Sequence, residues 1–204
     1  STHTGTWVTF QGWHMRGHPV WWVLALAHMG QRASKPGAPG GADGEDTPDG
    51  FGVAVVREDG TWRCTAMRRD ALTSLTAAET ALRELRSAGA VFGLLNIDDD
   101  FFVVVRPAPA GTRLLLSDAT AALEYDIAAE VLEKLDAEIG DDELEDADPF
   151  EEGDVGLLSD IGLPGDVLAV ILSDTELYAD EQITRIAGEM GFGDELAAVL
   201  DKQI

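Results

Sequence analysis

The chain has 204 residues, with 38 Asp and Glu against 14 Lys and Arg, a formal net charge of −24. Residues 91–204 hold 29 acidic and 5 basic side chains, whereas residues 1–90 balance at 9 and 9, so the whole surplus lies beyond the midpoint. A surface of that sign repels phosphate polyanions and attracts cations or basic protein patches, which argues against direct nucleic-acid binding.

Apolar content of 45 % is that of a globular protein. No apolar run reaches the roughly 18–20 residues of a bilayer span, so no membrane role is expected. Cys64 is the one cysteine. It cannot close an internal disulfide and fits a reducing, cytoplasmic setting.

Residues 1–50 read as a disordered or dispensable extension. The apolar segment 19–27, after Arg16, has the look of a short secretory signal. The Pro/Gly/Ala/Asp-rich spacer at 31–50 makes the plain extension the simpler reading, with a start that is arbitrary. His14 and His18 have the i,i+4 spacing of a zinc pair, with His3 and His28 nearby. Gly17 and Pro19 oppose the helix that spacing needs, and no ligand completes a tetrahedron.

Order is expected from Phe51. Residues 51–57 and 61–67 flank Glu58-Asp59-Gly60, a hairpin signal, with Val53 and Val55 on one face and Trp62 and Cys64 on one face of the partner. A helix is expected over 77–88, from the capping pattern at Thr76 and Glu79 and from Gly89 at its end. Strands follow at 91–97, 101–106 and 112–117, separated by Asp98-Asp99-Asp100 and by a Pro/Gly turn. Short connections make these neighbours antiparallel. The fold class is therefore α+β: a β-β-α-β-β-β antiparallel sheet of about five strands, with one helix covering one face.

Residues 127–139 have helical periodicity, with Asp126 as N-cap, and complete a sheet domain over 51–140. Residues 141–154 carry nine carboxylates in fourteen positions and read as an acidic linker or exposed loop. Short helices punctuated by glycine are expected at 155–161, 165–172, 179–190 and 194–200. Helices of that length need partners. They form a C-terminal bundle over 155–204, either docked on the sheet or tethered by the linker.

No catalytic, cofactor-binding or metal-binding residue is assigned. The acidic run from Asp141 places Glu143, Glu145 and Glu152 as an EF-hand would, but Asp146 stands where the sharp turn needs Gly. Asp98–Asp100 reads most simply as a solvated turn. Walker, dinucleotide, nucleophile-elbow and His-Glu-x-x-His motifs are missing. Cys64 is expected to be structural, because adjacent Arg63 points to the opposite face of its strand. Arg57, Arg63, Arg68 and Arg69 near Trp62, with Arg83 and Arg86, form a small basic concentration that reads as ordinary surface arginines.

Several blocks stand out together: Leu115-Leu116-Ser117-Asp118, residues 157–163 with Asp160 and Gly162, Leu177-Tyr178 before Asp180-Glu181, and Gly191-Phe192-Gly193. In this order, and over about residues 51–200, the chain resembles the tRNA adenosine deaminase-associated proteins of actinobacteria. The resemblance implies association with such a deaminase. It brings no activity and no site residues. The chain is not the deaminase itself, since it has neither the H-x-E nor the P-C-x-x-C element that holds the zinc.

The function expected is that of a non-enzymatic, acidic accessory protein, needing no cofactor and meeting a basic protein surface. Two rivals stand beside it. One is a carboxylate-dependent enzyme using Asp98–Asp100 or Asp118. The other is an assembly or chaperone-like factor with Leu and Ile exposed on its last helices.

Overall fold

A computed structural model describes residues 47–202. The histidines and the signal-like segment lie outside the described residues. The long apolar runs in the middle of the chain become a six-stranded sheet in the order β2-β1-β3-β4-β5-β6, every neighbouring pair antiparallel. The strands are β1 (Gly50–Glu58), β2 (Thr61–Ala66), β3 (Ala90–Ile97), β4 (Phe101–Ala108), β5 (Gly111–Leu116) and the two-residue β6 (Glu152–Gly153). The α+β class and the antiparallel sheet match the sequence reading.

Asp59 and Gly60 both adopt positive φ, 52° and 76°, closing Glu58 onto Thr61 as the Asp-Gly signal requires. Val55 pairs with Cys64 and Arg57 with Trp62, so the predicted faces meet. β3 returns beside β1, on the side away from β2, because β1 is the more apolar strand and takes the interior place. β2 alternates between exposed and half-buried positions, and it forms an edge.

Both faces of the sheet are covered: one by three helices where one was expected, the other by the C-terminal helices, which take the docked of the two arrangements that the sequence leaves open. Against one face pack α1 (Leu75–Glu84), α2 (Asp126–Lys134) and α3 (Asp141–Asp146), meeting Leu95, Val103, Val105 and Leu114. Against the other pack α4 (Gly165–Leu172), α5 (Ala179–Met190) and α6 (Gly193–Leu200), meeting Phe92, Leu94, Phe102 and Val104. This explains why residues 101–105 are apolar without alternation: a strand buried on both sides has no solvent face.

Several boundaries move. Ser74, not Thr76, caps α1, its hydroxyl accepting from the Ala77 amide at 3.4 Å. The helix stops at Glu84, and Arg86 takes the left-handed turn with φ 45°. Gly89 serves another purpose: a Cβ there would lie 2.0 Å from the Arg57 carbonyl oxygen. Asp136, with φ 55°, ends the residue-127 helix early. The stretch read as a linker is not loop throughout, since α3 buries Leu144 and β6 extends the sheet. Helices α4 and α5 begin and end as predicted, with Gly191 in the left-handed conformation at φ 85°.

Three arginines of the sheet, one each on β1, β4 and β5, hold the segment that leads into α4. Arg57 Nη1 donates to the Ile161 carbonyl at 3.0 Å, and Arg113 Nε donates to Asp154 at 2.7 Å. Arg106 donates to the Leu157 carbonyl and grips Asp160 with both Nη atoms, Nη2 at 2.7 Å. Hydrogen bonds from Arg106 hold the Asp160 carboxyl down at about 2. A carboxyl depressed in the folded state contributes stability above its unfolded pKa, and that contribution is lost as pH falls toward the folded value. Unfolding midpoints should therefore fall from about pH 4 to pH 2. Asp160→Asn should flatten that fall in an acid titration followed by circular dichroism. Because the Asp160 side chain is 60 % exposed, the difference should stay under about 1 kcal/mol.

Candidate functional site: an acidic cavity between sheet and C-terminal helices

Where β4 begins and β5 ends, the sheet meets the α4–α5 connection and leaves a cavity of about 490 Å³. Four carboxylates line it: Asp100 from the β3–β4 turn, Asp118 after β5, and Asp148 and Glu151 from the acidic stretch. Phe150, Leu172 and Leu177 supply apolar wall. Apolar wall with an anionic rim suits the side chain of a lysine or arginine, whose stem is apolar and whose head is charged.

The local folding that builds this site is specific. The turn Asp98-Asp99-Asp100 is a tight one, closing Ile97 onto Phe101, and Asp98 and Asp99 both take positive φ, 55° and 58°. Left-handed backbone is unfavourable for residues with a Cβ, although aspartate tolerates it better than most. The turn is pinned from three sides. The Asp98 amide donates to the Asp49 carbonyl at 2.7 Å, and the Ala179 amide, first residue of α5, donates to the Asp99 carbonyl at 3.2 Å. Buried Asn96 donates to Asp99.

Tyr125 is a fourth tie on the turn. Its hydroxyl lies 2.9 Å from Asp98 Oδ2 and 3.0 Å from Asp100 Oδ2. A phenol has one proton to give, so the two carboxylates share it. Burial, and then the two carboxylates, push the Tyr125 hydroxyl above its ordinary pKa, so it remains a donor. Asp118 caps the turn after β5, accepting from the Thr120 amide at 2.9 Å and hydroxyl at 2.7 Å. Asp100 and Asp118 are thus fixed in place by donors that do not neutralise them.

The structure brings Asp100 and Asp118, separate candidates in the sequence, to one cavity. Asp148 and Glu151 come from a stretch whose composition gave no sign of a lining role. The candidate EF-hand is not formed, since Asp141–Asp146 is helix where a calcium loop must turn. Among the described residues, no group of three or more metal-ligating side chains is placed to hold an ion. Cys64 packs against the core beneath α6, and burial, then Glu195, push its thiol up to about 12. A thiol raised in this way is a poor nucleophile at neutral pH.

The basic concentration around the first hairpin disperses. Arg63 pairs with Glu58, Arg68 with Asp70, and Arg57 stacks over Trp62 at 5.0 Å. The last helices bury their Ile183, Ile186 and Leu196 on the sheet. Among the described residues, Val170 and Tyr178 are the large hydrophobics exposed beyond residue 123. A tail that caps another protein with exposed leucines has no support in this packing.

Residues 50–193 match the family described as Rv3753c-like tRNA adenosine deaminase-associated protein. The chain belongs to this family. Protein Rv3753c of Mycobacterium tuberculosis is 77 % identical over 157 residues, covering 77 % of this chain and 91 % of that relative. No solved structure matches. The family match contains the Asp98–Asp100 turn, Asp118 and the acidic stretch, so every carboxylate of the cavity lies within it. Among the described residues, no helix is long and apolar enough to cross a membrane.

Proposed function

We propose that this protein is a non-enzymatic, cytoplasmic accessory factor that docks a basic surface of a tRNA adenosine deaminase through the acidic cavity and the aspartate turn beside it. The carrying observation is the cavity itself, with four carboxylates on an apolar wall and no described cation lining it. The family description names association with that enzyme. The surplus of −24 beyond residue 90 adds long-range attraction for a cationic partner, which raises association rate and fixes register. The same field opposes unaided capture of RNA.

The test uses both purified proteins. The wild-type chain should co-elute with the deaminase in gel filtration at low ionic strength. The quadruple variant Asp100→Asn, Asp118→Asn, Asp148→Asn, Glu151→Gln should bind at least about tenfold more weakly, with an unchanged circular dichroism spectrum. Equal binding by the variant would place the docking surface elsewhere.

The convergence of Asp100 and Asp118 gives the carboxylate-enzyme reading one observation in its favour. An enzyme of that kind needs one carboxyl tuned as acid or base beside a reacting atom. The two readings separate in one assay: turnover that disappears with Asp118→Asn, in a preparation free of deaminase, would support catalysis over docking.

A further inference from the structure

On the far end of the sheet, α1 ends beside the β4–β5 hairpin and leaves an open cleft of about 480 Å³. Arg83, Arg86, Arg106 and Arg113 all line it, and Asp160 is the one carboxylate among the lining residues. In a chain with 14 Lys and Arg and a charge of −24, such a convergence runs against the composition.

Three of the four guanidiniums are occupied. Arg106 holds Asp160 and Arg113 holds Asp154. Arg83 reaches Glu79 at 3.6 Å and the Thr112 hydroxyl at 3.0 Å. Arg86 is different: among the described arginines, it alone has a guanidinium meeting no carboxylate, carbonyl or hydroxyl. Its backbone is also left-handed, φ 45°, at the position after a helix where glycine is favoured. A helix C-terminus favours a cation, which accounts for a basic residue in this region. It does not account for an arginine with left-handed backbone that shares a cleft with three others.

We propose that this cleft binds a small phosphorylated molecule. Arg86 takes the phosphate in the forked geometry that suits guanidinium donors, and Arg83, exposed and 3.6 Å from Glu79, adds its charge beside it. Val91 and Pro107, half-buried residues that also line the cleft, receive the organic part. The volume is that of a small-ligand site. The occupied pairs of Arg106 and Arg113 keep the wall rigid. A long polyanion is disfavoured, because beyond the cleft it would run against the acidic remainder of the molecule.

The full chain is titrated calorimetrically at low ionic strength with inorganic phosphate, with adenosine monophosphate and with a short single-stranded RNA. The nucleotide should bind saturably and more tightly than inorganic phosphate. Arg86→Gly should weaken it by about tenfold or more. Glycine relieves the left-handed backbone, so the same variant should melt at or above the wild-type temperature, which separates lost binding from lost folding. The proposal is overturned by no saturable nucleotide binding, by equal affinity for phosphate and nucleotide, by unchanged affinity in Arg86→Gly, or by tighter binding of the RNA.

Discussion

Replacing Phe192 by alanine is expected to destabilise the protein by about 3–5 kcal/mol, the range for truncating a fully buried aromatic ring. Phe192 is 0 % exposed and follows Gly191, whose left-handed turn ends α5. Both residues donate their amides to the Ala187 carbonyl, at 2.9 Å each, which fixes the direction of the chain. The ring then lies 5.1 Å from Trp62 and 6.0 Å from Phe92, centroid to centroid. One side chain thus joins the α5–α6 corner to strands β2 and β3. Urea denaturation measures the loss, and Cys64 reports where it occurs. The thiol packs against this same core, so labelling by a thiol reagent should be slow in the wild type and faster in Phe192→Ala. A loss below about 1 kcal/mol would mean that the corner is not integral to the core.

Arg106→Ala comes second, at about 2–3 kcal/mol. The Arg106 side chain is 12 % exposed although it sits in a salt bridge, so its stem is packing surface as well as a carrier of charge. Its removal strips one donor from the carbonyl of buried Leu157 and leaves Arg113, at 3.3 Å, as the other. It also frees Asp160, but that carboxylate is well exposed and hydrates readily, so the ion pair is the smaller part. Arg106→Met should recover part of the loss by restoring the stem. If Met and Ala are equally destabilised in urea titrations, the packing account fails and the charge carries the effect.

Local signals in the chain were read well where they are chemically unambiguous. Asp59-Gly60 makes its hairpin and Gly191 closes α5, because each residue type has a narrow conformational meaning. The α1 terminus misled for an instructive reason. Gly89 has the residue type of a helix stop, but it is required by close approach of the Arg57 backbone, and Arg86 makes the turn. Coverage of both sheet faces could have been inferred from residues 101–105, whose lack of alternation is the mark of a strand buried on both sides. The placement of β3 beside β1 is set by which strand deserves the interior, a comparison across the chain that no short window contains.

The site was half legible. Asp100 and Asp118 could be named because they stand at strand ends, where side chains reach the rim of a sheet. Asp148 and Glu151 could not, since nothing in a run of carboxylates distinguishes the two that turn toward a cavity. Their placement follows from β6, a two-residue pairing of Glu152 and Gly153 with β5. Gly153 fits there at φ 116°, where a Cβ would meet the Leu114 carbonyl at 2.4 Å. The arginine clamp was missed for a similar reason. Arg106 and Arg113 pair across β4 and β5, and only the register places them side by side.

The acidic cavity as a docking surface for a basic partner is the central claim, and the salt dependence of the affinity between this chain and a tRNA adenosine deaminase tests it most directly. Calorimetric titration across a series of sodium chloride concentrations should show the dissociation constant rising steeply with salt, and the quadruple carboxylate variant should flatten that slope. An affinity indifferent to salt, or a slope unchanged in the variant, would contradict it.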